Sequence, residues 1–255
     1  MKDKMLIPPI SRLGGKSKLR KKIIEMLPPH KCYVELFFGA GWVYFGKEKS
    51  KIEVINDIDK ELINLFKMIK YHTPELERLL EYEYSSRDKF MEFKESDIKY
   101  LTDINRAVRY LYLLNYSFAS RGCHYGYATN TLPNQKIFKE TYLEPIRERL
   151  KNTFVENLSF EKIIEKYDRE YTVFFADPPY FETAGYEDKF GEKEHLLLCE
   201  KLKNIKGKFI LTINDHEKIR ELYKDFNIIE IDVNYSVARE AEARKKYKEL
   251  IITNY

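Results

Sequence analysis

Apolar residues along this chain alternate between short continuous runs and helical spacing, an order typical of an α/β sheet. Continuous runs at 32–37 and 52–56 predict buried strands, and the spacing over 42–49 and 60–71 predicts a helix after each strand. The same alternation resumes near residue 142. It predicts helices over 142–150, 160–167, 194–202 and 218–223, and strands over 153–156, 172–176, 208–213, 227–233 and 249–253.

A mainly helical stretch interrupts this alternation. Helical spacing continues through 74–83, 87–95 and 104–116, and a loop over 117–127 follows that is dense in aromatic residues, glycine and cations. A loop of this length inside a compact domain is usually functional or disordered. We therefore predict one α/β domain from residues 1–72 and 138–255, with a Rossmann-like sheet and helices on both of its faces, and an inserted subdomain at 73–137.

The composition is that of an ordinary globular protein. The 255 residues are 44% hydrophobic, and no stretch approaches the ~20 apolar residues of a membrane span. The N-terminus lacks the long apolar region of a signal peptide, so we expect a cytoplasmic protein without a membrane partner. Cys32, Cys123 and Cys199 lie far apart without CxxC-type spacing, so neither a metal site nor a disulfide framework is expected.

Basic residues are concentrated near the two ends of the chain, although the net charge is only +4. Nine lysines and arginines lie between residues 2 and 31, where the acidic residues are Asp3 and Glu25, and a second group lies between 239 and 248. Such groups suit phosphates. The alternative interpretation is a set of solvated helix faces, which is the commoner meaning of a short lysine run.

The most chemically informative segment is Asp177-Pro178-Pro179-Tyr180, directly after the predicted strand at 172–176. Ligands bind at the carboxyl ends of the strands in open α/β sheets. Asp177 can accept a hydrogen bond from an amine, and the prolines hold the carbonyls of Asp177 and Pro178 in rigid positions. Tyr180 offers a flat face on which a base can stack. The pattern therefore indicates a nucleobase amine prepared for reaction, and a plain strand-ending turn is the alternative.

A glycine loop and an acid indicate a nucleoside-containing cofactor. In the segment that begins with Glu35 and Phe37, the residues Gly39 and Gly41 allow a ligand to approach the backbone closely. No lysine follows the second glycine, which disfavours a phosphate-binding loop. Asp57, at the end of the second predicted strand, can accept both hydroxyls of a ribose, or cap the following helix.

The N-terminal segment Arg12-Leu13-Gly14-Gly15-Lys16 places paired glycines beside a lysine, just before a predicted helix. This pattern can close over a carboxylate at a helix N-terminus. A plain turn is the alternative, and it would be preferred if the segment stood alone.

The order of these segments resembles the DNA adenine-N6 methyltransferases of the Dam type. Arg-Leu-Gly-Gly-Lys, Glu-x-Phe-x-Gly-x-Gly, Asn-Asp-Ile-Asp, an insertion and Asp-Pro-Pro-Tyr follow one another over nearly the whole chain, and residues 249–255 look like the closing strand of this family. The resemblance implies a methyltransferase sheet that binds S-adenosylmethionine, double-stranded DNA as the partner, and a target-recognition role for residues 73–137. It leaves open a cognate restriction endonuclease and the oligomeric state.

The resemblance also assigns site residues, none of them a metal ligand. The catalytic segment it implies is Asp177, Pro178, Pro179 and Tyr180, which would hold the N6 amine of an adenine flipped out of the duplex. The residues it implies for cofactor binding are Arg12, Lys16, Glu35, Phe37, Gly39, Gly41, Asp57, Ile58 and Asp177. For DNA contacts the loop over 117–127 supplies Arg121, His124 and Tyr125 as candidates.

Other functions remain open from the residues alone. The motif also fits adenine-N6 methylation of RNA, whereas N4-cytosine enzymes more often carry Ser in place of Asp177. A non-catalytic nucleic-acid binder could keep the same scaffold, but it would tolerate loss of the motif residues, and all of them are present. A nicotinamide oxidoreductase is disfavoured because the full G-x-G-x-x-G fingerprint is missing.

Overall fold

The computed structural model describes residues 5–12, 16–127, 141–181, 190–234 and 246–255. In these ranges helices and strands alternate at both ends of the chain, and four successive helices interrupt the alternation, as the apolar pattern predicts. In chain order they are α1 (Arg20–Glu25), β1 (Cys32–Glu35), α2 (Trp42–Gly46), β2 (Ile52–Asn56), α3 (Lys60–Leu80), α4 (Arg87–Glu95), α5 (Asp103–Asn115), α6 (Glu144–Leu150), β3 (Phe154–Glu156), α7 (Phe160–Tyr167), β4 (Thr172–Ala176), α8 (Glu192–Lys203), β5 (Lys208–Asn214), α9 (Glu217–Leu222), β6 (Asn227–Asn234) and β7 (Lys246–Thr253), with 3₁₀ turns at Ile98–Tyr100 and Phe118–Ser120.

The chain divides into two compact units, each made of segments that are discontinuous in sequence. The first unit is mainly helical, and the second contains most of the sheet. The segments are Met1–Ile24, Gly39–Glu48 and Asp57–Asn157 in the first unit, and Glu25–Phe38, Lys49–Asn56 and Leu158–Tyr255 in the second. The division into a catalytic domain at 1–72 and 138–255 and an insertion at 73–137 stays a prediction.

The strands of the second unit form a mixed sheet in the order β2-β1-β4-β5-β7-β6. Strand β1 pairs in parallel with β2 and β4, and β4 pairs in parallel with β5. Strand β7 is antiparallel to both β5 and β6. All five residues of β4 are buried, which explains why this strand is a continuous apolar run instead of an alternating one.

The core of the second unit lies between this sheet and the helices α7, α8 and α9. Phe174 of β4 and Phe209 of β5 are fully buried, together with Ile163 of α7 and Leu198 of α8. Burying each such side chain contributes about 1.5–3 kcal/mol. The core therefore holds the parallel strands firmly and fixes where their carboxyl ends lie.

The first unit is held together by the packing of α3 against α5. Leu62, Phe66 and Leu111 are among its fully buried residues. The sequence predicts separate helices over 60–71 and 74–83, whereas the structure has one helix that is kinked at His72, where φ is −135°. Pro74 explains the kink, because proline lacks the N–H that would continue the hydrogen-bond ladder.

The prediction of an α/β Rossmann-like fold is confirmed by the parallel strands that alternate with helices. The loop predicted over 117–127 is also present, with one 3₁₀ turn at Phe118–Ser120. Among the described helices, none has both the length and the apolar character needed to cross a bilayer. Gly14, Gly15 and most of the basic cluster between 239 and 248 lie outside the described residues.

Candidate functional site

The Asp-Pro-Pro-Tyr segment begins immediately after β4, at the carboxyl end of a strand flanked by β1 and β5. Pro178 is buried, whereas Asp177, Pro179 and Tyr180 are half-buried. The first proline therefore anchors the segment, and the side chains of Asp177 and Tyr180 keep part of their surface accessible. This is the placement that the sequence predicts for a reacting carboxylate and a stacking ring.

Strand β5 supplies two polar contacts to this segment. The hydroxyl of Thr212 donates a hydrogen bond of 2.9 Å to Oδ1 of Asp177. The side-chain amide of Asn214 accepts a bond of 2.9 Å from the N–H of Phe181 and donates one of 3.1 Å to its carbonyl. Neither residue was predicted from the sequence. The available signal was the presence of polar side chains at the carboxyl end of a buried strand.

His195 of α8 packs beneath the same segment. Its side chain is buried, and the centroid of its ring lies 5.4 Å from that of Phe181 and 4.8 Å from that of Phe190. Burial lowers the pKa of His195 to about 4. This effect of burial outweighs those of Glu194 and the Pro179 carbonyl, which raise the pKa. The imidazole is therefore neutral at pH 7 and acts as packing below the prolines.

Glu35 is the last residue of β1, and Phe37 lies two positions after it, also in the second unit. Glu35 is buried and accepts a hydrogen bond of 2.6 Å from the hydroxyl of Tyr33. Phe37 is half-buried, and its ring lies 5.7 Å from that of Phe160 and 5.4 Å from that of Phe190. The proposed cofactor role of these residues is not tested by these contacts and stays a prediction.

The glycine loop and Asp57 meet in the first unit. Gly39 and Gly41 have φ of +51° and +74°, a left-handed conformation that glycine adopts without strain. The N–H of Gly39 donates to Oδ2 of Asp57 at 2.9 Å, and the N–H of Asp59 donates to Oδ1 at 2.9 Å. Burial raises the pKa of Asp57 above its ordinary value, although these two bonds and Arg12 oppose the shift. Asp57 therefore ties the loop to the start of α3.

Asp59, and not Asp57, caps helix α3. Its Oδ1 accepts bonds of 3.0 Å and 3.2 Å from the N–H groups of Glu61 and Leu62. Next to Asp57 the side chain of Ile58 is 70% exposed, which leaves a large apolar surface beside the carboxylate. An exposed isoleucine at this position is consistent with its predicted place beside the cofactor adenine.

Arg12 belongs to a three-residue network in the first unit. Its guanidinium donates to Oδ2 of Asp59 and to the hydroxyl of Tyr110, and that hydroxyl donates to the same Oδ2 at 3.1 Å. Burial alone would raise the pKa of Asp59, but Arg12, together with the hydrogen bonds from the Leu62 N–H and the Tyr110 hydroxyl, holds that pKa below its usual range. The sequence predicts Arg12 as a cofactor residue, and it does not predict Tyr110, which lies 98 positions away.

Lys16 precedes α1 in the same unit, and its side chain is only 3% exposed. Its carbonyl accepts bonds from the N–H groups of Leu19 and Arg20, at 3.1 Å and 2.8 Å, so the residue starts the first helical turn. A buried ammonium requires polar or anionic neighbours. Lys16 is thus a structured part of the N-terminal segment and not a freely solvated lysine.

The loop over 117–127 folds back on itself. An isolated antiparallel bridge joins Ser117 to Tyr125, and the N–H of Phe118 donates to the carbonyl of His124 at 2.9 Å. Arg121 and His124 are exposed at the end of this loop.

Tyr125 anchors the loop to the helices of the first unit. Its hydroxyl lies 2.8 Å from Oγ of Ser85, and its ring lies 5.6 Å from that of Phe90. The guanidinium of Arg87 lies 5.0 Å from the centre of the same ring and 5.6 Å from that of Tyr127, which is 76% exposed. Arg87 and Tyr127 therefore join the exposed surface of the loop, and neither was predicted from the sequence.

The parallel strands and their helices form an α/β fold, and the acidic and aromatic segment lies at the carboxyl ends of the strands, where proteins of this class bind ligands. The chain belongs to the D12 class of N6 adenine-specific DNA methyltransferases, whose family model matches residues 13–237. It is thus an adenine-specific DNA methyltransferase, and this family and fold imply the use of S-adenosylmethionine. The recognition made from the motif order is confirmed.

Characterised relatives agree with this assignment. The chain is 29% identical to the Type II methyltransferase M1.LlaDCHI of Lactococcus lactis subsp. cremoris, over 100% of this chain and 98% of that protein. It is 27% identical to the DNA adenine methylase of Escherichia coli strain K12, over 93% of this chain and 91% of that protein. Among solved structures, an rRNA methylase from Streptococcus thermophilus is a distant match, with a TM-score of 0.43 and 8% identity over 96% of this chain and 99% of that one.

Proposed function

We propose that Asp177, Pro178, Pro179 and Tyr180 form the site at which the adenine amine is methylated. The observation that carries this proposal is the half-buried carboxylate of Asp177, which follows a fully buried parallel strand and has one oxygen held by Thr212 at 2.9 Å. A fixed acceptor with an accessible surface is what a weakly nucleophilic exocyclic amine requires.

The chemistry follows from the acceptors that this segment offers. Asp177 and the carbonyl of Pro178 would accept the two N–H bonds of N6, which favours a pyramidal nitrogen. Tyr180 would stack on the adenine ring. N6 would accept the methyl group that the cofactor supplies and would gain positive charge, which the two acceptors would stabilise. The product ammonium then loses its proton to water, so Asp177 does not have to act as a strong base.

Fixing the reactants supplies a large part of the rate. Intramolecular positioning is worth about 7–11 kcal/mol in well-oriented reactions. An adenine inside a duplex is not accessible to this segment, so the base must be flipped out at a cost of a few kcal/mol. The binding surface for the duplex must therefore offset that cost.

We also propose that Asp57 and Ile58 hold the nucleoside part of S-adenosylmethionine. Each Asp57 oxygen accepts one backbone N–H, and a carboxylate oxygen has two acceptor positions, so each can also accept a ribose hydroxyl. Ile58 offers an exposed apolar surface to the adenine. Apart from Gly39 and its two chain neighbours, no atom of the described residues lies within 4 Å of the point where a Cβ on Gly39 would stand. These residues therefore fit the cofactor, which when bound supplies an electrophilic sulfonium methyl group. The roles of Arg12, Lys16, Glu35, Phe37 and Gly41 remain as the sequence predicts them.

For DNA, we propose that Arg121 and His124 contact the duplex while Tyr125 holds their loop in place. The side chains of Arg121 and His124 are exposed, and Tyr125 is packed against Phe90 and Ser85. A guanidinium on an ordered loop can read a guanine edge or hold a phosphate. Because one relative is a Type II methyltransferase, we further propose that this protein methylates one short sequence, as the partner of a restriction endonuclease would.

The test is methyl transfer by Asp177→Ala, with Asp225→Asn as the matched control. Asp225 is an exposed aspartate of the same unit that pairs with Lys203 at 3.3 Å. The enzyme is incubated with labelled S-adenosylmethionine and DNA or RNA, and the product is digested and identified by mass spectrometry. We expect N6-methyladenine from DNA, abolished in Asp177→Ala and kept in Asp225→Asn. Product from RNA alone, or no product from any nucleic acid, would refute the proposed function.

The same DNA supports a binding test of the loop. Affinity measured from 50 to 200 mM salt should fall steeply, because lysine and arginine contacts release counterions from DNA. If Arg121 binds a phosphate, Arg121→Ala weakens binding to all sequences and makes the salt dependence shallower. If it reads a base, the variant loses discrimination at one position of the site instead. Unchanged affinity, salt dependence and sequence preference would remove Arg121 from the interface.

A further inference from the structure

Two residues of β5 point to the same side of the sheet and reach the proposed catalytic segment. Thr212 and Asn214 are two positions apart, and side chains at that spacing in a strand share a face. Thr212 is fully buried, and its hydroxyl contacts the carbonyl of Ala176 at 3.5 Å in addition to Oδ1 of Asp177 at 2.9 Å. The first residue of the segment is therefore fixed through its side chain.

Asn214 fixes the backbone of Phe181, the residue that directly follows the segment. Its amide makes two hydrogen bonds with Phe181, one to the N–H at 2.9 Å and one to the carbonyl at 3.1 Å. The ring of Phe181 is buried, and its centroid lies 4.8 Å from that of His216 and 5.4 Å from that of His195. Phe181 therefore has little freedom to shift along the chain or to rotate.

The residues between these two ends are stiff by themselves. Pro178 and Pro179 have fixed φ, so the path from Asp177 to Phe181 has few free torsions once its ends are held. A displacement of about 1 Å in a reacting group can lower a rate by about 100-fold. The contacts from β5 therefore set the direction in which the carboxylate and the Pro178 carbonyl face.

We propose that Thr212 and Asn214 are positioning residues for methyl transfer, which hold Asp177 and Pro178 in the one arrangement that meets the adenine amine. The proposal rests on the proposed function of the Asp-Pro-Pro-Tyr segment. Neither residue has to touch the substrate. They act through Asp177 and Phe181, and their contribution belongs to the transition state more than to the binding of the ground state.

Thr172 provides a matched control for Thr212. It is a buried threonine at the start of the neighbouring strand β4, and its hydroxyl donates a bond of 2.8 Å to the carbonyl of Tyr167. Thr172→Val and Thr212→Val each remove one hydroxyl from a buried strand and keep the side-chain shape. The two variants are therefore expected to lose similar stability, and only Thr212→Val alters the proposed site.

The experiment measures kcat and KM for both substrates, and the melting temperature, in the full-length enzyme. We expect kcat to fall about 10- to 100-fold in Thr212→Val, with KM for S-adenosylmethionine changed less than threefold. Thr212→Ser, which keeps the hydroxyl, should restore kcat to within about threefold of the wild type. Asn214→Ala is measured in the same way. If Asn214→Ala fails to fold, the threonine variants still decide the test.

Two kinetic outcomes would overturn the proposal. One is a kcat in Thr212→Val equal to that of Thr172→Val, and the other is a loss that Thr212→Ser does not restore. Crystal structures of the wild type and Thr212→Val separate this proposal from the proposed function. If the wild type methylates no DNA but Asp177 reorients in Thr212→Val, the proposed function is wrong, and the positioning of Asp177 by Thr212 is supported. If Asp177 does not move in Thr212→Val, the positioning proposal is wrong, whichever reaction the enzyme catalyses.

Discussion

His195 links the packing of the second unit to pH. The side chain is 1% exposed and lies between the rings of Phe181 and Phe190. Burial lowers its pKa from the ordinary 6.5 to about 4. Between those two values an unfolded chain binds a proton on this imidazole, and the native protein does not. Stability is therefore complete above pH 6.5 and falls as the pH drops toward 4.

The size of this effect follows from the two pKa values. They differ by about 2.5, and each unit of pKa corresponds to about 1.4 kcal/mol, so His195 removes about 3 kcal/mol of folding free energy by pH 4. This is a large part of the about 5–15 kcal/mol that stabilises a typical domain. Because the ring packs below Pro179, the same protonation should also disturb the segment that carries Asp177.

The assay is urea unfolding of the wild type, His195→Gln and His195→Leu at pH values from 8 to 4. Neither variant titrates at this position, so both serve as references for every other group in the protein. We expect the wild type to lose about 3 kcal/mol relative to each variant over this range, with most of the loss below pH 6. The variants differ in absolute stability because they pack differently, but they must share the same pH trend. A wild-type difference that stays within about 0.5 kcal/mol from pH 8 to 4 would refute the buried neutral imidazole.

Two further predictions concern the first unit. Tyr110→Phe removes the hydroxyl shared by Arg12 and Asp59 and should lower the free energy of unfolding by about 1 kcal/mol. The loss is no larger because these two side chains are about a third exposed, and solvent weakens a charged hydrogen bond there. Chemical denaturation measures this change, and an effect no larger than that of the exposed control Tyr127→Phe would contradict the prediction. Asp57→Asn leaves one acceptor oxygen for two backbone N–H groups, so calorimetry should show S-adenosylmethionine affinity lowered at least about 10-fold. An affinity equal to that of the wild type would move the ribose contact away from this residue.

Local patterns were sufficient for the secondary structure of most of the chain. The continuous apolar run that ends at Ala176 predicts a strand buried on both faces, and the structure places it between two parallel neighbours. The helical spacing predicts two helices, over 60–71 and 74–83, and the structure shows one helix with a kink at His72. A local pattern predicts where the regular helix is interrupted. It does not predict whether the chain then continues as the same helix or changes direction, because that depends on what the residues after the kink pack against.

The candidate site divides in the same way. Asp177 and Asp57 could be selected because a carboxylate at a strand end is visible in the sequence itself. Thr212 and Asn214 could not be paired with the motif, because they lie 35 and 33 positions from their partners and only the order of the strands brings them together. The partnership of Arg12 with Tyr110 likewise depends on the packing of α5 and not on any local signal.

The sequence by itself indicated the reaction class, because the order of the glycine loop, the acid and the Asp-Pro-Pro-Tyr segment resembles one family of methyltransferases, and the match to that family's model confirms the resemblance. Tertiary structure alone decided which side chains hold that run in place, which histidine is buried and neutral beneath it, and where β7 enters the sheet. The physical reason is that chemical groups are properties of residues, whereas hydrogen-bond partners, burial and pKa values are properties of the neighbours that folding brings together.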